Sequence, residues 1–128
     1  MNIIFLRHGE AIDNVKALIS DKEIYWSTLT KKGIKTVKES LEILPTKIDK
    51  IYVSPLPRTI ETAHFVYELF PKTEVIIENR IREIYHGKYT HQENNEDLDN
   101  IRIKQIDGDY FVRLGQYGEN KYDIEERL

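Results

Sequence analysis

The stretch Ile3–Glu10 reads Ile-Ile-Phe-Leu-Arg-His-Gly-Glu, and it constrains the fold of this chain more than any other. Its four apolar residues are typical of a short strand buried on both faces. The run ends at Arg7, His8 and Gly9. Ligands of open α/β sheets bind at the carboxyl ends of central strands, and glycine permits a sharp turn or a close backbone approach. We therefore expect Arg7 and His8 at a ligand-binding edge.

Strands and helices alternate along the first 77 residues. The predicted elements are a strand at Ile3–Leu6, a helix capped by Thr30 and ended by Pro45, a strand at Ile48–Ser54, a helix from Pro57 to Phe70, and a strand at Glu74–Ile77. This alternation favours a parallel sheet with helices on both faces. The sequence predicts the α/β class, as a three-layer sandwich with a mostly parallel sheet.

The remaining segments carry weaker patterns. The expectations are an irregular loop at Ala11–Leu29 with Tyr25 and Trp26 packed beneath it, an exposed loop at Gln92–Asn100, an extended piece at Tyr110–Val112, and the start of a helix at Glu119–Leu128. Neither repeats nor linkers interrupt the chain. We expect residues 1–128 to form a single domain.

Composition excludes several classes of protein. The chain has 128 residues, 40% hydrophobic and 32% charged, with a net charge of −3, which gives no electrostatic reason to bind nucleic acid or an anionic membrane. It has no cysteine, which excludes disulfides and thiolate metal sites. The apolar start is too short for a signal-peptide core, and no run approaches a membrane span. A cytoplasmic location is expected.

A second stretch, Val53–Ala63, repeats the arrangement of the first: a strand ends, the chain turns at Pro55 and Pro57, and a helix begins with Arg58 in its first turn. A cation there has the wrong sign for the helix dipole. The residue is either a solvated arginine or one of two guanidinium groups that converge with His8 on an anion. Two converging arginines favour a phosphate, which they can bind bidentately.

The motifs together resemble those of the histidine phosphatase superfamily, also called the phosphoglycerate mutase-like family. The matching segments cover nearly the whole chain: Leu6–Glu10 with Asn14, Leu29–Gly33, Val53–Leu56 through Arg58 to Thr62 and Ala63, Arg82 and Glu83 with Gly87, and Gly118–Asn120 with Asp123 and Arg127.

The resemblance implies a mechanism. The imidazole of His8 attacks the phosphorus of a monoester to form a phosphohistidine, which water hydrolyses. His8 has to be neutral for this, and two nearby arginine charges should lower its pKa. Arg7 and Arg58 bind and neutralise the phosphoryl oxygens, Asn14 contacts the substrate, and Glu83 supplies the proton that the leaving alkoxide needs.

Other titratable residues carry less specific expectations. No metal site and no cofactor are expected, because His64, His86 and His91 lie at no ligand spacing. His64 lies in the middle of a predicted helix, and His86 and His91 could at most line the substrate mouth. Glu10 either orients an arginine or caps local backbone.

Two departures from the family pattern leave the function open. This chain has Lys88-Tyr89-Thr90 where many family members carry a tryptophan and a further glycine. No histidine here matches the second histidine that the family carries late in the chain, so the fold is expected to be incomplete at its C-terminus. The preferred function is a metal-independent phosphatase that acts on a small phosphorylated metabolite. The alternatives are a mutase-type phosphotransferase, a catalytically impaired protein that binds a phosphorylated ligand or inorganic phosphate, and an α/β protein with coincidental motifs. A homo-oligomer is compatible with each.

Overall fold

The structure is a computed structural model that describes residues 1–22 and 27–128. Its α-helices are α1 (Ile12–Val15), α2 (Lys31–Ser40), α3 (Pro57–Leu69), α4 (Glu96–Ile106) and α5 (Lys121–Arg127), and its strands are β1 (Lys50–Val53) and β2 (Glu74–Ile77). Short 3₁₀ turns occupy Leu41–Ile43, Asn79–Ile81 and Gly87–Tyr89. Tyr25 and Trp26, which the sequence predicts to pack beneath a loop, lie outside the described residues.

The two strands pair in parallel, with Lys50 opposite Glu74 and Val53 opposite Ile77. Helix α3 connects them and packs on β1 and on α2. The chain is thus an α/β protein with a parallel sheet flanked by helices, which confirms the predicted fold class.

Local signals determine where α2 and α3 begin. The hydroxyl of Thr30 accepts a hydrogen bond from the Gly33 amide at 2.9 Å, as predicted for a helix N-cap. Pro57 occupies the first turn of α3, where a missing amide hydrogen costs nothing. The strand predicted at Glu74–Ile77 has the observed bounds.

Two glycines bring α2 against the backbone that follows His8. A Cβ atom on Gly33 would lie 2.1 Å from the Glu10 carbonyl oxygen, and one on Gly9 would lie 2.7 Å from the Gly33 carbonyl oxygen. Neither position has room for a side chain. The close approach, rather than a turn, is what requires glycine at both positions.

The prediction of a buried strand at Ile3–Leu6 is wrong. These residues adopt no strand, and Ile3, Ile4 and Phe5 are 64%, 52% and 92% exposed. A strand needs a neighbour that satisfies its backbone groups. In the described part of the chain β1 and β2 pair with each other and neither pairs with this segment.

The prediction of an exposed loop at Gln92–Asn100 is wrong from Glu96 onward, because α4 begins there. Asn95 caps the helix by accepting from the Leu98 amide, and Leu98 is fully buried in a second apolar cluster with Ile19, Tyr89 and Leu114. Tyr110–Val112 forms turns rather than an extended piece, whereas the predicted C-terminal helix is present as α5.

No helix in residues 1–22 and 27–128 is long and apolar enough to cross a membrane.

Candidate active site

The structure brings Arg58 and His8 together although 50 residues separate them in the chain. Arg58 lies in the first turn of α3, and its Nε donates to Nε2 of His8 at 3.1 Å. Thr62, one turn further along α3, accepts a hydrogen bond from the Gly9 amide at 3.2 Å. The helix thus holds both the arginine and the backbone next to the histidine.

Arg58 is buried, and its charge is compensated by side chains from the loop after His8. Nη1 of Arg58 donates to the Ser20 hydroxyl at 2.9 Å and lies 3.5 Å from Oδ2 of Asp13. The Asp13 side chain is also buried, and it accepts a further hydrogen bond from Ser27. A desolvated guanidinium needs such a partner, so Asp13 compensates the charge of Arg58, and Asp13 and Ser20 orient its side chain.

The hydrogen bonds of His8 specify its tautomer. Nδ1 lies 2.8 Å from the Gly9 carbonyl oxygen, which can only accept, so this nitrogen carries the proton. Arginine can only donate, so Nε2 presents its lone pair to Arg58. The neutral imidazole therefore has its nucleophilic nitrogen directed at the buried guanidinium.

Burial is the main cause that lowers the pKa of His8 below its ordinary value of 6.5. The charges of Arg58 and Arg7 lower the pKa further, while the hydrogen bond to Gly9 and the charge of Asp13 oppose the shift. The sequence predicts the direction from the two arginines. Desolvation, which depends on the tertiary structure, has the larger effect.

Arg7, Asn14 and Glu83 line one cavity of about 740 Å³ with His8 and Arg58. Arg7 is exposed. The Asn14 side-chain oxygen accepts from the Ala11 amide at 2.9 Å, so it also caps α1. Oε2 of Glu83 lies 3.9 Å from Nη2 of Arg58, and the Glu83 side chain is 45% exposed. All five predicted site residues thus surround a single cavity.

In the described part of the chain the Glu10 carboxylate contacts two side chains, and neither a backbone amide nor an arginine. The carboxylate accepts from the Thr30 hydroxyl at 2.8 Å and from the Lys32 amine at 3.0 Å. Both partners belong to the start of α2. Glu10 therefore stabilises the close packing of α2 behind the site.

Sequence reasoning missed several residues that build the site. Asp13, Ser20, Asp21, Asn94 and Arg102 were not predicted to take part. Asp13 lies in α1, and Ser20 and Asp21 follow that helix, within the stretch that the sequence predicts to be an irregular loop. Arg102 lies on α4 and Asn94 lies just before it. The polar loop after the His8 motif is a signal that such partners exist, but it does not identify them.

The other histidines occupy different environments. His86 is buried and lines the cavity, with Nδ1 3.0 Å from Oδ2 of Asp21. His64 is exposed on α3 and lies 3.5 Å from Glu68. His91 is exposed, and its amide donates to the Ile19 carbonyl oxygen. Among the described residues, no three His, Cys, Asp or Glu side chains are grouped so as to hold a metal ion.

Comparison with known proteins identifies the class to which this fold and site belong. Residues 3–128 match the model of the histidine phosphatase superfamily, branch 1. The chain belongs to this family.

A 2,3-bisphosphoglycerate-dependent phosphoglycerate mutase of Thermoplasma acidophilum is 33% identical over 106 residues, which are 82% of this chain and 52% of the mutase. Bacillus stearothermophilus YhfR is 27% identical with a TM-score of 0.68, over 94% of this chain and 60% of that one. A mycobacterial glucosyl-3-phosphoglycerate phosphatase in complex with VO3 is 22% identical with a TM-score of 0.75, over 94% and 59% of the two chains. The present chain thus spans about half the length of the curated relative.

Proposed function

We propose that this chain is a phosphomonoester hydrolase that acts through a phosphohistidine on His8. The observation that carries the proposal is the contact of Nε2 of His8 with Nε of Arg58 at 3.1 Å, in a cavity that Glu83 also lines. A lone pair directed at a buried cation suits attack on an electron-poor phosphorus whose oxygens that cation binds.

The first step forms the bond between Nε2 of His8 and phosphorus and breaks the bond from phosphorus to the ester oxygen. The leaving alkoxide takes a proton from the carboxyl group of Glu83. In the second step water attacks phosphorus, Glu83 takes the proton from that water, and the electron pair of the broken P–N bond returns to Nε2. The products are an alcohol and inorganic phosphate, and His8 and Glu83 end as they began.

Arg58 and Arg7 bind the phosphoryl oxygens. Nε of Arg58 donates to Nε2 of His8 in the structure, so attack by this lone pair requires the exchange of that hydrogen bond for one from Arg58 to a phosphoryl oxygen. Asp13 and Ser20 hold the guanidinium during the exchange. After the exchange the lone pair of His8 is free to attack the phosphorus of the bound ester.

The comparisons support a phosphorylated substrate of small size. One structural relative is named for a phosphatase of glucosyl-3-phosphoglycerate and is complexed with VO3, and another is an α-ribazole phosphatase from Shigella flexneri, 24% identical. We propose a small phosphorylated metabolite as the substrate of this chain and no requirement for a metal or cofactor.

Hydrolysis of p-nitrophenyl phosphate in the presence of EDTA tests this function. We expect His8→Ala to lower the rate at least about 10⁴-fold, since loss of a covalent nucleophile removes the whole pathway. His64→Ala is the matched control, because His64 is exposed on α3 and outside the cavity. Equal rates in His8→Ala and the wild type would refute the proposal. Vanadate binding that depends on Arg58, without turnover, would instead support a phospholigand-binding protein.

A second candidate is phosphotransfer of the mutase type, which the 33% identity to a phosphoglycerate mutase favours. In that reaction the phosphohistidine transfers its phosphoryl group to an alcohol rather than to water. Release of inorganic phosphate distinguishes the two: a phosphatase releases one phosphate for each ester cleaved, and a mutase releases almost none.

A further inference from the structure

Arg102 lines the same cavity as His8 and Arg58, but it comes from α4, which none of the quoted motifs includes. Its side chain is 37% exposed, and Nη2 lies 3.2 Å from Nε2 of His86. Nη1 donates to the Asn94 side-chain oxygen at 2.8 Å and to Asp99 at 3.2 Å. A third guanidinium is therefore held at the cavity by side chains from two segments.

His86, one of the partners of Arg102, is itself held in place by the buried carboxylate of Asp21. The Oδ2 atom of Asp21 lies 3.0 Å from Nδ1 of His86 and accepts from the Thr90 hydroxyl at 3.1 Å. Since arginine only donates, Nε2 of His86 accepts from Arg102, and Nδ1 carries the proton that points to Asp21. The result is a chain of hydrogen bonds from a buried carboxylate, through a neutral imidazole, to a guanidinium at the cavity.

The charge of Asp21 complements that of Arg102. Burial works against the ionised carboxyl, but hydrogen bonds from the ring and the amide of His86 and from Thr90 hold the pKa of Asp21 below its ordinary value. The imidazole therefore lies between an anion and a cation, which strengthens both hydrogen bonds.

The apolar core determines where Arg102 lies. Leu98 is fully buried, Ile101 packs against the same cluster, and the Gln105 side chain donates to the Val112 carbonyl oxygen at 2.7 Å. These three residues hold α4 in one orientation. Arg102 is consequently placed at the cavity by packing and not only by its own polar contacts.

A surface ion pair with Asp99 explains only part of the contacts that Arg102 makes. The pair with Asp99 joins neighbouring turns of a helix and is about half exposed, and such pairs contribute little to stability. That pair requires neither a buried histidine nor a buried aspartate. The contacts within the described part of the chain engage three of the five N–H bonds of Arg102, which leaves donors for a ligand.

We propose that Arg102, positioned by His86 and Asp21, binds a second anionic group of the substrate. The substrate class is then a phosphomonoester that also carries a carboxylate or a second phosphate, because the planar fork of arginine matches both. This inference rests on the proposed function, since it assumes that the first phosphoryl group occupies the site of His8 and Arg58. The cavity of about 740 Å³ is within the range of about 300–1,000 Å³ typical of small-molecule sites, so it accommodates more than a phosphoryl group.

Binding of matched phosphonates tests the proposal without requiring turnover. Benzylphosphonate carries one anionic group, the 3- and 4-carboxybenzylphosphonates add a carboxylate, and xylylene bisphosphonate adds a second phosphonate. We expect at least one doubly anionic compound to bind the wild type about tenfold or more tightly than benzylphosphonate, the low end of the contribution of a charge-assisted hydrogen bond.

Arg102→Met should reduce that ratio to about one and leave the Kd of benzylphosphonate unchanged. Arg102→Lys should give an intermediate ratio, because lysine keeps the charge and loses the fork. Lys104→Ala is the control, since it removes a positive charge from an exposed position of the same helix that does not line the cavity.

The possible outcomes distinguish the second-anion site at Arg102 from the proposed hydrolase function of His8. Ratios that are equal in the wild type and in Arg102→Met overturn the second-anion site, as does an equal loss of affinity for all the compounds. Benzylphosphonate binding that depends on Arg58, together with affinity ratios that Arg102→Met does not change, keeps the proposed function and rejects only this inference. No binding of any phosphonate refutes both.

Discussion

The cavity has two walls whose charged residues differ in burial and in origin. We call His8, Asp13, Ser20 and Arg58 the inner wall, and Glu83, His86, Asn94 and Arg102 the outer wall. The Arg58 and Asp13 side chains are 5% and 2% exposed, whereas those of Glu83 and Arg102 are 45% and 37% exposed. Buried charges keep a single geometry, which suits the reacting group, while half-exposed charges suit recognition of substrates that differ.

The largest expected effect tests whether the outer wall takes part in the chemistry through Glu83. Glu83→Gln keeps the shape of the side chain and removes its acidic proton, so we expect kcat/KM on an alkyl phosphate, which reports the first step and not the later attack of water, to fall by about 10²- to 10⁴-fold. The loss should be much smaller with p-nitrophenyl phosphate, because p-nitrophenolate leaves without protonation. Equal losses with both leaving groups would show that Glu83 is not the acid.

The second effect concerns stability. Arg58→Met leaves Asp13 buried without its partner, and the loss of one member of a buried pair costs about 3–5 kcal/mol of unfolding free energy. Arg102→Met should cost less than about 1 kcal/mol, because that arginine is partly solvated. Urea denaturation of the two variants at neutral pH measures the difference. Similar losses would remove the distinction between the walls.

The smallest effect is the titration of His8. Since burial and the two arginine charges lower its pKa, an NMR titration of the ring should have its midpoint below 6.5 in the folded chain and near about 6.5 in concentrated urea. His8 then stays neutral to a lower pH than an ordinary histidine, and the acid limb of the kcat/KM profile lies at a correspondingly lower pH.

The same shift has a consequence for stability. Because the unfolded chain binds this proton at a higher pH than the folded chain, the His8 contribution to stability is lost as the pH falls below about 6.5. A midpoint at or above 6.5 in the folded chain would contradict the account of the inner wall.

The sequence predicts two of the four inner-wall residues, His8 and Arg58, because both follow short local signals. Thr30 has the side chain that a helix N-cap needs, Pro57 suits a first helical turn, and the motif after Ile3–Leu6 contains His8. Asp13 and Ser20 were not predicted, because their role depends on a contact with Arg58 that only the tertiary structure creates. The placement of Arg58 beside His8 was the prediction on which the rest depended.

The outer wall was harder to predict for a physical reason. The acidic residues Glu96, Asp97 and Asp99 give Gln92–Asn100 the composition of a solvated loop, yet in the first turn of α4 they interact favourably with the helix dipole. The burial of Leu98 depends on Ile19, Tyr89 and Leu114, which are distant in the chain. Tertiary packing, not local propensity, therefore determines where Arg102 lies.

The most direct measurement is to trap the phosphorylated chain. The protein is mixed with a radiolabelled phosphomonoester, quenched in alkali, and digested to locate the label. The account predicts one acid-labile phosphoryl group on Nε2 of His8 in the wild type and none in His8→Ala. A wild-type chain that hydrolyses the ester without label on His8, or that carries the label on another residue, would contradict it.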